Sequence, residues 1–366
     1  MRPTPFCVGI IGFGNVAQRH HLTGLRAQPD DVRVVAVAEP VPALRELAKE
    51  LLGLDDPDVH ESPIELLARP DVDVVDVCVP PQARRDIVVA AAEAGKHIIA
   101  EKPLAAIPKE AEEMVEAARR AGVMLAMAHN YVFFPEFQAA RAVIEAGELG
   151  RIEVVTLDYL GVEDRPGSPL YRPRWRHDAR EAGGGVLMDM LHPVYLAEFL
   201  LGRPVERVSA YVTGRAPEAS VEDLALCRLE TAANVALVNV GWGVGPGGAQ
   251  VSGTEGFLKI RYQEGRSMPF YPLEEVELVR ADGRRRLDVA MGGSSHAGVF
   301  ADLAQALREG RPPFATGQDG LRVLETVMAV YESGVLQRTI RVPLDRTDPL
   351  YLFGLAGLSQ MAQSAG

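Results

Sequence analysis

Apolar residues in the first third of the chain follow two alternating rhythms. Short continuous runs at Phe6–Ile11, Val32–Ala38, 72–79, Ile98–Ile99 and Val123–Met127 have the length and β-branched content of strands buried on both faces. Between them, Val16–Ala27, Val41–Leu52, Ala83–Ala94 and Lys109–Ala121 read as helices. Strand and helix in regular alternation predict a doubly wound parallel sheet, an α/β Rossmann domain over residues 1–128. From residue 151 the rhythm changes. β-like runs at 151–160, 205–213, 223–230, 234–242 and 257–262 predominate, with helices at Pro135–Ala146, Pro193–Leu201, 298–309 and 319–333. This is the pattern of an α+β domain over 129–345, leaving an apolar carboxy-terminal tail at 346–366.

The first strand runs into GFGNVA. Gly12 permits a tight turn, Gly14 lets the backbone approach a diphosphate, and Ala17 is small enough for helix to pack on strand. A diphosphate on the amides that open this helix would also be favoured by the helix dipole. The next β run ends at Glu39, placed to accept hydrogen bonds from a ribose diol. A carboxylate there repels a 2′-phosphate, and Pro40 and Val41 offer no arginine to receive one. NAD is therefore expected, with NADP kept open by Arg45. The expected cofactor set is Gly12, Phe13, Gly14, Asn15, Val16, Ala17 and Glu39. Val79, Pro80, Glu101 and Lys102 join it, lying at strand ends where open α/β sheets bind ligands.

Composition narrows the classes further. The 366-residue chain, 47% hydrophobic and 24% charged, is long enough for two cores. A formal net charge of −12 argues against a nucleic-acid partner. No apolar run reaches the roughly 18 to 20 residues of a membrane span, and the amino terminus shows no small-residue cleavage site. Cys7, Cys78 and Cys227 lack metal-ligand spacing and read as small buried hydrophobes of a reducing compartment, so a cytoplasmic protein is expected. His20 and His21 point about 100° apart on a helix with no third ligand at suitable spacing, so no metal is expected there and the pair reads as surface or nucleotide-flanking.

Of 38 basic residues only Lys49, Lys96, Lys102, Lys109 and Lys259 are lysine. Arginine cannot give up its proton in a protein, whereas a partly buried lysine can be tuned toward neutrality. Lys102, in KHIIAEKPLAA just past a buried strand, is thus a candidate for chemistry.

The stretches GFGNVAQRHH and VCVPPQARRDIVVAAAEAGKHIIAEKPLA carry a resemblance. It continues in GELGRIEVV, AGGGVLMDMLHPVYLAEFLLG, VSGTEGFLKI and FADLAQALREGRPPFATGQDGLRVLETVMAVYESG, and so covers nearly the whole chain. Together they resemble the glucose-fructose oxidoreductase, inositol dehydrogenase and rhizopine-catabolism (Gfo/Idh/MocA) family. The resemblance implies an NAD(P)-dependent oxidoreductase of sugars, cyclitols and related polyols. It also implies a carboxy-terminal α+β domain with an open, largely antiparallel sheet that serves as the interface of a homo-oligomer, a dimer or tetramer. It places catalytic roles on Lys102, Asp189 and His192, and substrate contacts on Asn130, Tyr131, Trp175 and Arg176.

Three departures bear on that implication. Pro80-Pro81-Gln82-Ala83-Arg84 replaces the Pro-Asn-x-x-His of many members, and Asn130-Tyr131-Val132-Phe133 lacks their arginine. Asp189 and His192 are three apart where members have four. On one continuous helix both would still share a face, but residues beyond a deletion turn by about 100°. Pro193 offers another solution by beginning a fresh helix. Two other functions stay open on sequence grounds: a dinucleotide-dependent sensor without turnover, and a reductase of a non-sugar substrate, biliverdin-reductase-like or dihydrodiol-dehydrogenase-like.

Overall fold

The computed structural model describes residues 5–162, 183–214, 221–243, 245, 247–263, 272–290 and 294–358. The chain divides into two compact units. Among the described residues, one holds 5–130 and 294–321, and the other holds the stretches within 131–290 together with 322–358.

The first unit is a six-stranded, all-parallel sheet of β1 (Phe6–Ile11), β2 (Val32–Ala38), β3 (Val59–His60), β4 (Val74–Val77), β5 (His97–Ala100) and β6 (Leu125–Met127). Its spatial order, β3-β2-β1-β4-β5-β6, reverses direction between β1 and β4. Such a reversal opens a crevice beyond the carboxyl ends of those two strands. β4 is buried throughout and β1 nearly so, as continuous apolar runs in a sheet covered on both faces must be. Helices Pro42–Leu52 and Pro108–Ala121 begin on a proline and end on glycines in the left-handed conformation, Gly53 (φ 66°) and Gly122 (φ 68°). Both choices are local: the missing proline N–H has no helical acceptor there, and glycine escapes the Cβ penalty.

The helix expected over Val16–Ala27 forms with a change of pitch. Ala17–His21 is a π-helical turn and Leu22–Arg26 an α-helix. This turn buries His21 completely, which removes the surface alternative for that residue and leaves the nucleotide-flanking one.

The second unit is a nine-stranded sheet. In chain order its strands are β7 (Ile152–Val162), β8 (Arg207–Thr213), β9 (Leu224–Glu230), β10 (Val235–Trp242), β11 (Gly247–Gly253), β12 (Gly256–Tyr262), β13 (Leu273–Arg280), β14 (Gly283–Arg286) and β15 (Ile340–Arg341). The order is β14-β13-β12-β11-β7-β10-β9-β8-β15, antiparallel except for the β7–β10 pair. Alternating burial along β9 and β10 leaves one face covered and Leu226 and Leu237 exposed on the other.

The Asp189–His192 segment is not one helix. A short helix, Val186–Asp189, ends at Met190 (φ −115°, ψ 47°), and a new helix, His192–Leu201, starts with Pro193 in its first turn.

Candidate active site

The glycine turn after β1 is built for a close approach. Gly12 has φ 87°, and a Cβ there would stand 3.0 Å from the Val79 side chain and 3.1 Å from the backbone of Cys78. Among the described residues a Cβ on Gly14 would meet no protein atom within 4 Å; what it would fill is the cradle over the turn. That is the relation a diphosphate-binding turn requires, so the residues present fit a dinucleotide. Asn15 and Val16 open the helix and Ala17 is fully buried beneath it.

Glu39 is tied to this turn directly. One carboxylate oxygen accepts the Phe13 N–H at 2.7 Å and the other accepts the Val41 N–H at 2.9 Å. The residue read as a ribose acceptor therefore also holds the turn in shape. Each carboxylate oxygen has a second lone pair, so these bonds leave acceptor capacity. Arg45 donates to the carbonyls of Glu39 and Pro40, at 2.8 and 2.9 Å.

Past β5, Glu101 is buried and Lys102 half-buried. The Lys102 N–H donates to Oε2 of Glu101 at 2.9 Å, and the Lys102–Pro103 peptide is cis. Sequence reasoning missed the residue that grips this loop. Arg84, 2% exposed, donates to the carbonyls of Val79 at 2.6 Å, Glu101 at 2.5 Å, Leu104 at 3.3 Å and Pro103. Burial lowers its pKa to about 10, still far above neutrality, so the guanidinium stays charged. The signal the sequence offered was the resemblance, which places histidine at this position in many members. Asn130, just past β6, is buried and donates to Oγ of Ser295 at 2.8 Å.

A buried cluster lies behind Glu101. Nδ1 of His21 is 3.0 and 2.9 Å from the two carboxylate oxygens of Asp76, and its Nε2 is 2.8 Å from Oε1 of Glu101. His296, on the helix Ser295–Glu309, stacks on His20 with ring centroids 5.6 Å apart. Donor atoms of His21, Glu101 and His296 lie within 4.8 Å of one another, as do those of His21, Asp76 and Cys78. Distant elements and a late helix thus bring further donor atoms to His21, which spacing along the chain cannot register. Burial, reinforced by the neighbouring histidines, lowers the His20 pKa to about 4, and burial also lowers that of His296.

In the second unit, the triple glycine before Asp189 has a structural reason. Gly183 has φ 77°, a Cβ on Gly184 would stand 2.1 Å from the Tyr331 hydroxyl, and one on Gly185 2.1 Å from the Glu222 carbonyl oxygen. The buried Glu222 carboxylate accepts N–H groups from Gly185 at 2.8 Å and Leu187 at 2.9 Å, and the Tyr331 O–H at 2.8 Å. It thereby caps the helix that carries Asp189. Burial raises the Glu222 pKa despite these bonds.

His192 is 5% exposed and sandwiched locally. Tyr131 lies flat on its ring and Tyr195 meets Nδ1 through its hydroxyl. Asp189 is half-buried. Trp175 and Arg176 lie outside the described residues. Cys7, Cys78 and Cys227 form no disulfide. No helix among the described residues is long and apolar enough to cross a membrane.

Comparison with known proteins agrees with this construction. Residues 6–129 match the model of an oxidoreductase family with an NAD-binding Rossmann fold, and residues 137–259 match the GFO/IDH/MocA C-terminal domain. The 1,5-anhydro-D-fructose reductase of Ensifer adhaerens is 30% identical over 340 residues, 89% of this chain and 95% of that protein. The levoglucosan dehydrogenase of Pseudarthrobacter phenanthrenivorans is 33% identical over 268 residues, 70% of this chain and 65% of that protein. A structure of levoglucosan dehydrogenase in complex with NADH and levoglucosan superposes with a TM-score of 0.80 at 26% identity, covering 93% of this chain and all of that one. The chain belongs to the Gfo/Idh/MocA family of oxidoreductases and carries its NAD-binding Rossmann domain.

Proposed function

We propose that this oxidoreductase is an NAD-dependent dehydrogenase that oxidises a CH–OH group of a sugar, cyclitol or related polyol. The observation that carries the reading is the Glu101–Lys102 loop, which sets a scarce lysine at the carboxyl edge of an NAD-binding sheet and is gripped there by Arg84. NAD, when bound, supplies the hydride acceptor at C4 of the nicotinamide. Lys102 hydrogen-bonds the reacting oxygen and stabilises its developing negative charge. His192 accepts the hydroxyl proton as general base, and Asp189 orients His192 or a neighbouring substrate hydroxyl. The products balance as ketone or lactone, reduced cofactor and a protonated imidazole.

NAD is preferred over NADP in this reading, because the Glu39 carboxylate would repel a 2′-phosphate. Relatives named for levoglucosan and 1,5-anhydro-D-fructose make polyhydroxylated rings the class to test. The subunits assemble as a homo-oligomer through the second sheet, where Tyr211 on β8 and Leu226 on β9 pair on the exposed face.

The test is NADH formation by the purified protein with levoglucosan, myo-inositol and methyl glucosides, and NADH consumption with 1,5-anhydro-D-fructose. Turnover with one class, abolished by Lys102→Ala while NAD affinity is kept, supports the reading. A Lys102→Ala protein that turns over near the original rate overturns it. Light scattering of the purified protein tests the oligomer.

A further inference from the structure

His21 closes the stretch GFGNVAQRHH, and its surroundings set it apart from the rest of that stretch. It is fully buried at the π-helical turn after the glycine loop, and carboxylates from one strand and from the loop past another face its two ring nitrogens. Asp76 on β4 meets Nδ1, and Glu101, just past β5, meets Nε2. The second oxygen of Glu101 takes the Lys102 N–H. We propose that His21 is a positioning residue for Lys102, which locks the Glu101 carboxylate between its ring and the Lys102 amide and so fixes where Lys102 stands. The proposal rests on the dehydrogenase reading only for the role of Lys102.

The geometry sets the charge of the ring. Ionised carboxylates only accept hydrogen bonds, so an imidazole with one on each side satisfies both only when both nitrogens carry protons. The groups that face it are Asp76 from β4, Cys78 just past that strand, Glu101 past β5, His296 from the helix Ser295–Glu309, and His20 on its own turn; Lys102 acts on Glu101 and His20. Burial alone would lower the His21 pKa, but Asp76 foremost among its neighbours holds it well above the ordinary value. Burial likewise works to raise the pKa of Glu101, and His21 foremost, with His296 and the Lys102 charge acting in the same direction, outweighs it, so Glu101 stays ionised. His20 and His296 are both lowered, which leaves His21 as the imidazolium of the three.

Tight packing keeps the arrangement in place: a Cβ on Gly24 would stand 2.7 Å from His296 backbone and Cβ atoms, so the helix Leu22–Arg26 lies against the one bearing His296. His296 Nε2 stands 3.8 Å from Oε1 of Glu101, an ion-pair separation longer than the 2.8 Å of His21 Nε2. A metal ion would need His21 to present an unprotonated nitrogen, which two facing carboxylates disfavour.

Two experiments decide it. In the unmodified protein labelled with nitrogen-15 histidine, both His21 ring nitrogens should resonate as protonated from neutral to mildly alkaline pH. A neutral tautomer, or shifts that vanish on chelation of a bound metal, would overturn the proposal. In His21→Asn, the Lys102 amide should exchange with solvent faster and kcat should fall about 10²-fold, the size of a small misplacement of a catalytic group. Adding His21→Asn to Glu101→Gln should cost little more, because both act through one carboxylate. Losses that multiply, or an unchanged Lys102 amide, would make His21 a packing residue. If no polyol is turned over at all, the dehydrogenase reading fails, while ring protonation and Lys102 amide exchange still decide the positioning claim.

Discussion

The hydroxyl of Tyr195 lies 2.6 Å from Nδ1 of His192 and also accepts the backbone N–H of Tyr131 at 3.1 Å. The Tyr131 ring stacks on the same imidazole with centroids 3.7 Å apart and planes 7° from parallel. The imidazole is therefore fixed in orientation by contact and at Nδ1 by a hydrogen bond; in the proposed reaction Nε2 is the nitrogen that takes the proton. Tyr195→Phe should release this hold and lower kcat roughly tenfold to a hundredfold with NAD affinity unchanged. It should also cost about 1–3 kcal/mol of stability, since the Tyr131 N–H loses its acceptor in a buried place. Steady-state kinetics and denaturant unfolding read both effects, and an unchanged kcat would remove Tyr195 from the site.

Arg84 ties the carbonyl of Val79 to three carbonyls in 101–104 with a single planar fork. Lysine keeps the charge and lacks the fork, so Arg84→Lys should behave more like Arg84→Ala than like the parent. Both should lose about 2–4 kcal/mol of stability by chemical denaturation and most of kcat. A fully active, fully stable Arg84→Lys would contradict this.

Glu39→Gln should weaken NAD less than it strengthens NADP relative to NAD. The amide oxygen still receives the Phe13 or Val41 N–H, while the charge facing a 2′-phosphate is gone. The ratio of the two dissociation constants should move toward NADP by about tenfold, or 1–2 kcal/mol. Titration with both cofactors measures it, and an unchanged ratio would mean that Glu39 does not discriminate between them.

The charges of His21 and Glu101 predict a signed pH dependence of stability. His21 has a raised pKa, so its contribution is complete below its ordinary value of 6.5 and is lost as pH climbs through the raised one. Glu101 has a lowered pKa, so its contribution is complete above its ordinary 4.5 and is lost as pH falls through the lowered one. The stability lost in His21→Asn should accordingly be greatest between those ordinary values and shrink on either side. Unfolding at a series of pH values tests this, and a difference independent of pH would contradict it.

What the sequence made legible follows from what its patterns record. The six-stranded sheet could be read because strands buried on both faces leave unbroken apolar runs, and five of the six announced themselves this way; β3, with two half-buried residues, left no such run. β11, GGAQVSG, has almost no β propensity and exists because β7 and β12 pair with it on either side. The residues around Glu101 were opaque for a different reason. His21, Asp76, Arg84 and His296 come from four elements, and a buried polar cluster carries no period that a single chain displays. Lys102 stood out because its type is rare here, and Asp189 and His192 through resemblance. The break between the latter two was legible as one of two options, and Pro193 was the clue.

The most direct test of the account is a crystal structure of the protein with NADH and a polyol that it turns over. The account predicts one substrate oxygen within about 3.2 Å of both Nζ of Lys102 and Nε2 of His192, on a carbon facing C4 of the nicotinamide. A substrate whose reacting oxygen touches only one of the two groups, or neither, would contradict it.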